Sequence, residues 1–170
     1  MDFYSKGYAL WLMPKGDIYK KYAGLIKKLA KEYNGPVFEP HITLLGDIEL
    51  PEHEVKKRTE ELISGQKPLQ INLGEIGYED YHFRALFVQA VISPQLQNLH
   101  DRTKQIFNME IPPYMAHLSL LYGNYPNLKK EKIIKSIGRN QNSTFEINNV
   151  FVQKAGLVKD WKIIGKFPFR

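Results

Sequence analysis

The amino-acid sequence predicts one mixed α/β domain that contains a repeated unit of strand, helix and strand. Short apolar runs alternate with amphipathic segments of helical period. The same order of elements and the same short motif occur twice in the chain. With 170 residues, 43% of them hydrophobic, the chain is long enough to bury a sizeable core, and it contains no linker-like or low-complexity tract. We therefore expect residues 1–170 to form a single domain.

The first unit begins with a strand over residues 8–13. A helix follows, because apolar residues recur on one face at helical spacing, namely Ile18, Tyr22, Leu25, Ile26 and Leu29. The sequence Asn34-Gly35-Pro36 ends this helix, and we expect Gly35 to take the left-handed cap conformation. The next strand contains His41. Pro51 then starts a second helix, which ends at Gly65.

The second unit has the same order. Residues 69–76 and 85–92 read as strands, and Ser93-Pro94 begins a helix with a capping serine and a first-turn proline. The strand containing His117 follows, and then a short helix that Gly138 ends. We expect two or three further strands between residues 144 and 169.

A motif shared by both units places a histidine and a hydroxyl residue two positions apart. Strand side chains alternate between faces, so His41 and Thr43 share one face in FEPHITLLG, as His117 and Ser119 do in PYMAHLSLLYG. One such pair is more often a satisfied structural feature than a site. Two pairs, each followed by Leu-Leu and a glycine, predict a duplicated site formed by these four side chains.

Two histidines and two hydroxyl groups suit a displacement at phosphorus. A histidine titrates near ~6.5, so one ring can be neutral and accept a proton while the other is charged and donates one. The hydroxyl groups of Thr43 and Ser119 can donate hydrogen bonds to non-bridging phosphate oxygens. We expect no metal and no cofactor, because the chain has no cysteine and none of the usual ligand spacings.

The two H-x-[ST] motifs resemble those of the 2H phosphoesterase superfamily, the two-histidine phosphodiesterases. The stretches YALWLMP, FEPHITLLG and PYMAHLSLLYG are most similar to its cyclic phosphodiesterase-like branch. The resemblance implies an α+β fold of two pseudo-symmetric lobes, each an antiparallel sheet with outer helices, with both motifs in the central cleft. It implies hydrolysis of 2′,3′-cyclic nucleotides to 2′-phosphates, or of ADP-ribose 1″,2″-cyclic phosphate. By the same analogy His41 would donate a proton and His117 would accept one.

The resemblance also implies aromatic contacts to the base, and Trp11, Phe83 and Tyr122 are the candidates. Trp11 and Phe83 fit core packing as well as base stacking. Strict alternation from His117 turns Tyr122 away from the cleft, so Tyr122 reaches it only if the strand twists or bulges before Gly123.

Other polar residues have less specific interpretations. We expect His53 and His100 on the surface, because both lie in charged helices, and His82 in a loop over or beside the cleft. Arg84 fits either a phosphate contact or a surface salt bridge. The net charge of +6 comes from lysines, Lys130 among them, that we place on solvated helix faces.

The expected partner is a small cyclic nucleotide or an RNA end that carries a cyclic phosphate. A phosphodiesterase specific for RNA ends and a catalytically silent nucleotide- or RNA-binding module remain alternatives. The apolar run over residues 8–13 is too short to span a bilayer and is followed directly by charged residues. We therefore expect a cytoplasmic protein with no membrane contact, and a monomer.

Overall fold

An eight-stranded sheet, antiparallel throughout, runs through the computed structural model, which describes residues 3–170. Its strands are β1 (Tyr8–Leu12), β2 (Ile42–Ile48), β3 (Leu69–Gly77), β4 (Leu86–Ala90), β5 (His117–Leu121), β6 (Asn140–Ile147), β7 (Asn149–Lys154) and β8 (Lys162–Pro168). The helices are α1 (Gly16–Tyr33), α2 (Glu52–Ile63), α3 (Pro94–Phe107) and α4 (Asn127–Ile137), with short 3-10 turns at His82–Arg84 and Val158–Asp160.

The sheet consists of two four-stranded halves. Its strand order is β6-β3-β4-β5-β2-β1-β7-β8, so the two histidine strands, β5 and β2, meet in the middle. A single pairing joins them, between Ile42 and Leu118. The expected α+β fold of two lobes is confirmed, with the addition that the two antiparallel sheets form one continuous sheet through this narrow junction.

The repeat is visible in the chain path and in the register. Both β1-α1-β2 and β4-α3-β5 place a histidine strand beside the first strand of its unit. In both units, the pairing skips the residue of the histidine strand that follows the hydroxyl residue. In the first unit this residue is Leu44, between the pairs Trp11–Thr43 and Leu10–Leu45. In the second it is Leu120, between the pairs Phe87–Ser119 and Leu86–Leu121. These matched bulges re-aim the side chains that follow them.

The end of α1 differs from the expectation in one detail. Asn34, and not Gly35, takes the left-handed conformation, with φ of 55°. Asparagine tolerates this conformation better than other residues that carry a Cβ. Gly35 instead lies close to the second histidine strand, since a Cβ there would be 3.0 Å from Leu121 Cδ1 and 3.3 Å from the backbone oxygen of Tyr122.

Two expected surface residues are buried, and His53 is exposed as expected. His100 is only 1% exposed, because the face of α3 that carries it packs against the segment before β5. Its ring stacks on Tyr114 with centroids 3.9 Å apart. Lys130 of α4 is also buried, and its Nζ donates to the carbonyl oxygen of Glu79 at 2.8 Å. Both surface predictions were therefore wrong.

The helix start at Ser93 is confirmed. The Ser93 Oγ accepts a hydrogen bond from the backbone N–H of Leu96 at 3.1 Å, and Pro94 occupies the first turn. This cap positions α3, whose buried face packs on β2 and β3.

Candidate active site

A cavity of about 730 Å³ includes residues of both histidine strands in its lining. All four motif side chains line it: His41, Thr43, His117 and Ser119. The three aromatic candidates, Trp11, Phe83 and Tyr122, line it as well. The structure thus brings together every residue that the sequence predicted for the site.

The two histidine rings are held in the same way. His41 Nδ1 lies 2.7 Å from the carbonyl oxygen of Glu39, and His117 Nδ1 lies 2.8 Å from that of Met115, two residues back in each case. A carbonyl oxygen can only accept, so Nδ1 carries the hydrogen in both rings. Nε2 is then the ring nitrogen left to accept a proton or, when charged, to donate one.

His41 has an aromatic environment. It is 5% exposed and stacks on Trp11, with ring centroids 3.7 Å apart and an interplanar angle of 12°. The ring of Trp161 meets it edge-on at 6.1 Å. Burial lowers the pKa of His41 to about 4, with a smaller contribution from the nearby His117 and a partial opposing effect from the bond to Glu39.

His117 has a charged environment. It is partly exposed and meets Phe87 edge-on, with ring centroids 5.2 Å apart. Burial lowers its pKa, the bond to Met115 opposes this, Arg84 lowers the pKa further and Glu79 raises it. Arg84 Nε lies 2.8 Å from Glu79 Oε2, and Arg84 also lines the cavity, so both roles weighed for this residue are compatible with its position.

The two hydroxyl groups differ in what they contact. Ser119 Oγ donates its single hydrogen to the carbonyl oxygen of Phe83 at 3.0 Å. Among residues 3–170, no hydrogen-bond partner is found for Thr43 Oγ1, so its hydrogen is available to a ligand. The hydroxyl group of Thr43 can therefore donate at once, whereas that of Ser119 must leave Phe83 to do so.

Each motif is connected to the other through the aromatic residue three positions before its histidine. Tyr114, before His117, donates from its hydroxyl group to the backbone oxygen of Thr43 at 3.0 Å. Phe38, before His41, stacks on Tyr122, with ring centroids 3.9 Å apart. These two contacts tie the histidine strands together where the sheet itself provides one pairing.

The bulge in β5 explains how Tyr122 reaches the cavity. The register skips Leu120, and Tyr122 follows the strand end with Gly123 next to it at φ of 146°. This is the distortion that the sequence required for Tyr122. Trp11 lies under His41, and Phe83 lies beside Trp161 with centroids 6.1 Å apart.

Several cavity residues were not found from the sequence. Trp161 donates from Nε1 to Ser5 Oγ at 3.1 Å, so the segment before β1 and the segment before β8 meet at the cavity. Gln153 of β7 lines the cavity too. Neither belongs to the repeat, and only the neighbouring positions of β1, β7 and β8 bring them to the site.

His82 lies beside the site, as expected. It begins the 3-10 turn that also carries Phe83 and Arg84, and its ring stacks on Phe3 with centroids 3.6 Å apart. Its backbone oxygen accepts a hydrogen bond from the N–H of Gly123 at 3.1 Å, which ties this turn to the end of β5.

Within the described part of the chain, no group of three or more histidine, aspartate and glutamate side chains is arranged to hold a metal ion. No helix within residues 3–170 is both long and apolar enough to cross a membrane.

The fold and the paired histidine motifs define a 2H phosphoesterase. The model of the family described as cyclic phosphodiesterase-like protein matches residues 6–169, and the chain belongs to this family. It is therefore a hydrolase, a cyclic phosphodiesterase. A cyclic phosphodiesterase of Arabidopsis thaliana is 28% identical over 125 residues, which cover 73% of this chain and 69% of that protein.

Solved structures of low sequence identity have the same fold. The protein TT0787 of Thermus thermophilus has a TM-score of 0.66 and 15% identity, and the match covers 96% of this chain and 98% of that one. Apo LigT of E. coli has a TM-score of 0.67 and 12% identity, with 98% of each chain covered. At such identities the likeness concerns the fold alone.

Proposed function

We propose that the protein hydrolyses the cyclic phosphodiester of a 2′,3′-cyclic nucleotide or of ADP-ribose 1″,2″-cyclic phosphate, with His41 and His117 as the proton-transferring pair. The observation that carries the proposal is the matched arrangement of the two rings. Each Nδ1 is fixed by a backbone carbonyl, and both residues line one cavity. Two oriented imidazoles in one cleft suit the activation of water and the protonation of a leaving oxygen.

The reaction is an in-line displacement. One neutral imidazole takes a proton from water as the water oxygen bonds to phosphorus. The bond from phosphorus to one ring oxygen breaks, and the other imidazole, in its charged form, gives that oxygen a proton. For a 2′,3′-cyclic nucleotide the product is a 2′-phosphate. We keep the assignment of His41 as donor and His117 as acceptor as a prediction.

The phosphate anion helps to populate the reactive protonation state. In the free protein burial lowers the pKa of both histidines, so a charged ring is disfavoured. A negatively charged phosphodiester beside the rings favours the charged form and raises both pKa values. Substrate binding is thus expected to favour the uptake of a proton from solvent by the donor histidine.

Thr43 and Ser119 bind the non-bridging phosphate oxygens in this proposal. No partner for Thr43 Oγ1 is found within residues 3–170, so it can donate to the phosphate, and Ser119 exchanges its bond to the Phe83 carbonyl for one to the phosphate. Hydrogen bonds to a charged oxygen are stronger than those to a neutral carbonyl, which favours the exchange.

In this proposal the aromatic residues contact the nucleoside through the parts of their rings that other side chains do not cover. Trp11 already stacks on His41, and Tyr122 already stacks on Phe38, so each offers at most its other face or an edge. Phe83 is less buried than Trp11 and Tyr122 and is therefore the most accessible of the three. We propose all three as base or ribose contacts.

The cavity favours a small substrate over a polymer. A volume of about 730 Å³ suits one nucleotide-sized molecule. Lys6 and Arg84 are the lysine and arginine side chains that line it, whereas most other lysines lie on outer helix faces. E. coli LigT has been solved with 3′-AMP, with NADP+ and with ATP, which is consistent with nucleotide recognition in this fold.

The test is a panel of cyclic substrates with product analysis. We expect hydrolysis of 2′,3′-cyclic mononucleotides to 2′-phosphates, of ADP-ribose 1″,2″-cyclic phosphate, or of both, with higher kcat/KM than for an oligoribonucleotide that ends in a cyclic phosphate. A preference for the oligonucleotide would favour the RNA-end activity. Binding of nucleotides without any turnover would favour a silent binding module.

Activity is expected to survive exhaustive treatment with EDTA, because two histidines and two hydroxyl groups supply the proton transfers and the charge stabilisation. The measurement compares kcat before and after chelation. Loss of activity and its return with zinc or manganese would contradict the proposed mechanism.

A further inference from the structure

The cavity extends from His41 along β1 into a region lined by small residues. Ala9 and Trp11 lie two positions apart on β1 and therefore share a face. Ala9 pairs with Gln153 of the neighbouring strand β7, and both line the cavity together with Ala155. On the face of the sheet that carries Trp11, the lining of the cavity thus includes two alanines and one glutamine, and we call this region, formed by Ala9, Gln153 and Ala155, the amide recess.

Gln153 is the polar group of the amide recess, and it is buried. Its side chain is 2% exposed although it lines the cavity. Nε2 donates to the backbone oxygen of Lys154 at 2.6 Å. Within residues 3–170 no hydrogen-bond donor is found for Oε1, so one acceptor is left for a ligand. Oε1 is not fully enclosed, so a ligand in the cavity can reach it and donate a hydrogen bond to it.

The Lys154 carbonyl fixes which way the amide faces. If the amide were flipped, its oxygen would face a carbonyl oxygen at the same short distance, and two acceptors repel each other. A glutamine can usually adapt to a partner by flipping, but this one cannot do so without losing its bond. It presents Oε1 as an acceptor and the second hydrogen of Nε2 as a donor.

We propose that the amide recess binds the edge of an amino-bearing nucleobase, adenine or cytosine, and that Gln153 is the residue that selects it. These bases present an amino hydrogen next to a ring nitrogen that accepts, which matches the acceptor and donor of a glutamine amide. Hypoxanthine and uracil present a carbonyl oxygen next to a ring N–H, which is the opposite pattern. The inference rests on the proposed function, because it concerns the base of the same cyclic nucleotide.

The fixed amide makes discrimination the expected consequence. A keto base would place its carbonyl oxygen against Oε1, and the amide could not turn to relieve this contact. A well-formed pair between a glutamine and a base discriminates by a factor of roughly 5 to 100. Stacking alone would not separate an amino base from its keto counterpart, because every base has a π-face.

The experiment uses two matched pairs of substrates on the intact protein. The value of kcat/KM is measured for 2′,3′-cyclic AMP against 2′,3′-cyclic IMP, and for 2′,3′-cyclic CMP against 2′,3′-cyclic UMP. We expect the wild-type protein to prefer the amino member of at least one pair by roughly 5- to 100-fold. In Gln153→Met, which keeps the length of the side chain without its polar atoms, that ratio is expected to fall to about 1.

Two controls make the result specific. Gln70→Met changes an exposed glutamine of β3 outside the cavity and is expected to keep the wild-type ratio. Binding of the product pair 2′-AMP and 2′-IMP, measured by calorimetry, is expected to show the same preference without turnover. If Gln153→Met does not fold, Gln153→Asn, which retains the amide on a shorter side chain, takes its place and is expected to lower the ratio, and equal wild-type ratios would overturn the proposal without any variant.

The outcomes separate the two proposals. Equal kcat/KM within both pairs, or an unchanged ratio in Gln153→Met, would overturn the role of the amide recess and leave the proposed function intact. No hydrolysis of any of the four cyclic nucleotides or of ADP-ribose 1″,2″-cyclic phosphate would overturn the proposed function, and the inference with it.

Discussion

The two halves of the site hold their histidines with the same bond and surround them differently. Each Nδ1 donates to the carbonyl oxygen two residues back. Around His41, however, Trp11 and Trp161 provide an apolar enclosure, whereas His117 lies near the Arg84–Glu79 ion pair and is more exposed. The hydroxyl groups differ as well, because Ser119 is engaged with Phe83 and Thr43 is not.

The two halves share the features that orient each histidine ring and differ in the features that set its pKa. The strand, the bulge and the backbone carbonyl set the tautomer and direction of each ring, and these are the same in both halves. The pKa depends on neighbours that lie outside the motif, and those differ. In the free protein this difference favours the neutral form of His41 more than that of His117, so the proposed role of His41 as donor requires that bound phosphate raise its pKa.

Removal of either histidine is expected to have the largest effect. His41→Ala and His117→Ala should each lower kcat by roughly 10²–10⁴-fold with little change in KM, because each removes a positioned proton transfer. The double variant should lose less than the product of the two single losses, since the residues act as a unit. Near-normal turnover in either single variant would contradict the mechanism.

The leaving group distinguishes the two roles. A diester that releases p-nitrophenolate does not need a proton on its leaving oxygen. On such a substrate, the variant that lacks the donor should be impaired less than on a cyclic nucleotide, and the variant that lacks the acceptor should be impaired equally on both. If His117→Ala, and not His41→Ala, shows the smaller defect, the roles are the reverse of the assignment given above.

The hydroxyl groups are expected to come next. Thr43→Ala should cost about 2–4 kcal/mol of transition-state stabilisation, because its free hydrogen bonds an oxygen that gains charge. Ser119→Ala should cost less, since Ser119 gives up its bond to Phe83 when it binds the phosphate. Thr43→Ser and Ser119→Thr retain the hydroxyl groups and serve as controls. A larger loss in Ser119→Ala than in Thr43→Ala would show that its bond to Phe83 costs little to exchange.

The sequence was sufficient for the parts of the site that lie within the repeat. The positions of His41, Thr43, His117 and Ser119 followed from strand alternation and from the second copy of the motif. Even the distortion that Tyr122 requires could be anticipated, because alternation over five residues gave the wrong face. These are local rules, and a short stretch of chain contains the information that they need.

The parts that the sequence did not reveal depend on which strands become neighbours. Gln153 and Trp161 reach the cavity because β7 lies beside β1, an order that no local pattern specifies. The burial of His100 was missed for the same reason, since its neighbour Tyr114 belongs to another element. The local pattern Asn-Gly-Pro led to the assignment of Gly35 to the helix cap. Its close approach to Leu121 is a tertiary contact, which no local pattern reveals.

A smaller effect is expected from the connection between the two motifs. Tyr114→Phe removes the hydrogen bond to the backbone oxygen of Thr43. A bond of this kind contributes about 0.5–1.5 kcal/mol, so kcat should fall by roughly 2- to 10-fold as β2 gains freedom relative to β5, while KM changes little.

Tyr22→Phe is the matched control. It removes another buried tyrosine hydroxyl group, which donates to Ser143 Oγ at 2.9 Å outside the cavity. Both variants should lower the free energy of unfolding, and Tyr114→Phe alone should lower kcat. An equal kcat in Tyr114→Phe and the wild type would mean that this bond stabilises the fold without positioning Thr43.

The smallest expected effect is a shift in one limb of the pH profile, and it tests the difference between the halves most directly. In the free protein burial lowers the pKa of His41 to about 4 and places the pKa of His117 below its usual range. The profile of kcat/KM should therefore be a bell whose limbs both lie on the acid side of ~6.5. The limbs of the kcat profile should lie at higher pH, because bound phosphate favours the charged rings.

Charge changes beside His117 should move one limb only. Arg84→Gln removes a positive charge that lowers the pKa of His117, so the limb associated with His117 should move to higher pH. Glu79→Gln should move the same limb to lower pH, and the limb near 4 should stay in place in both variants. Arg102→Gln, a change in α3 outside the cavity, should move neither limb. Movement of both limbs together would mean that the two rings titrate as a strongly coupled pair, and that their surroundings do not set them apart.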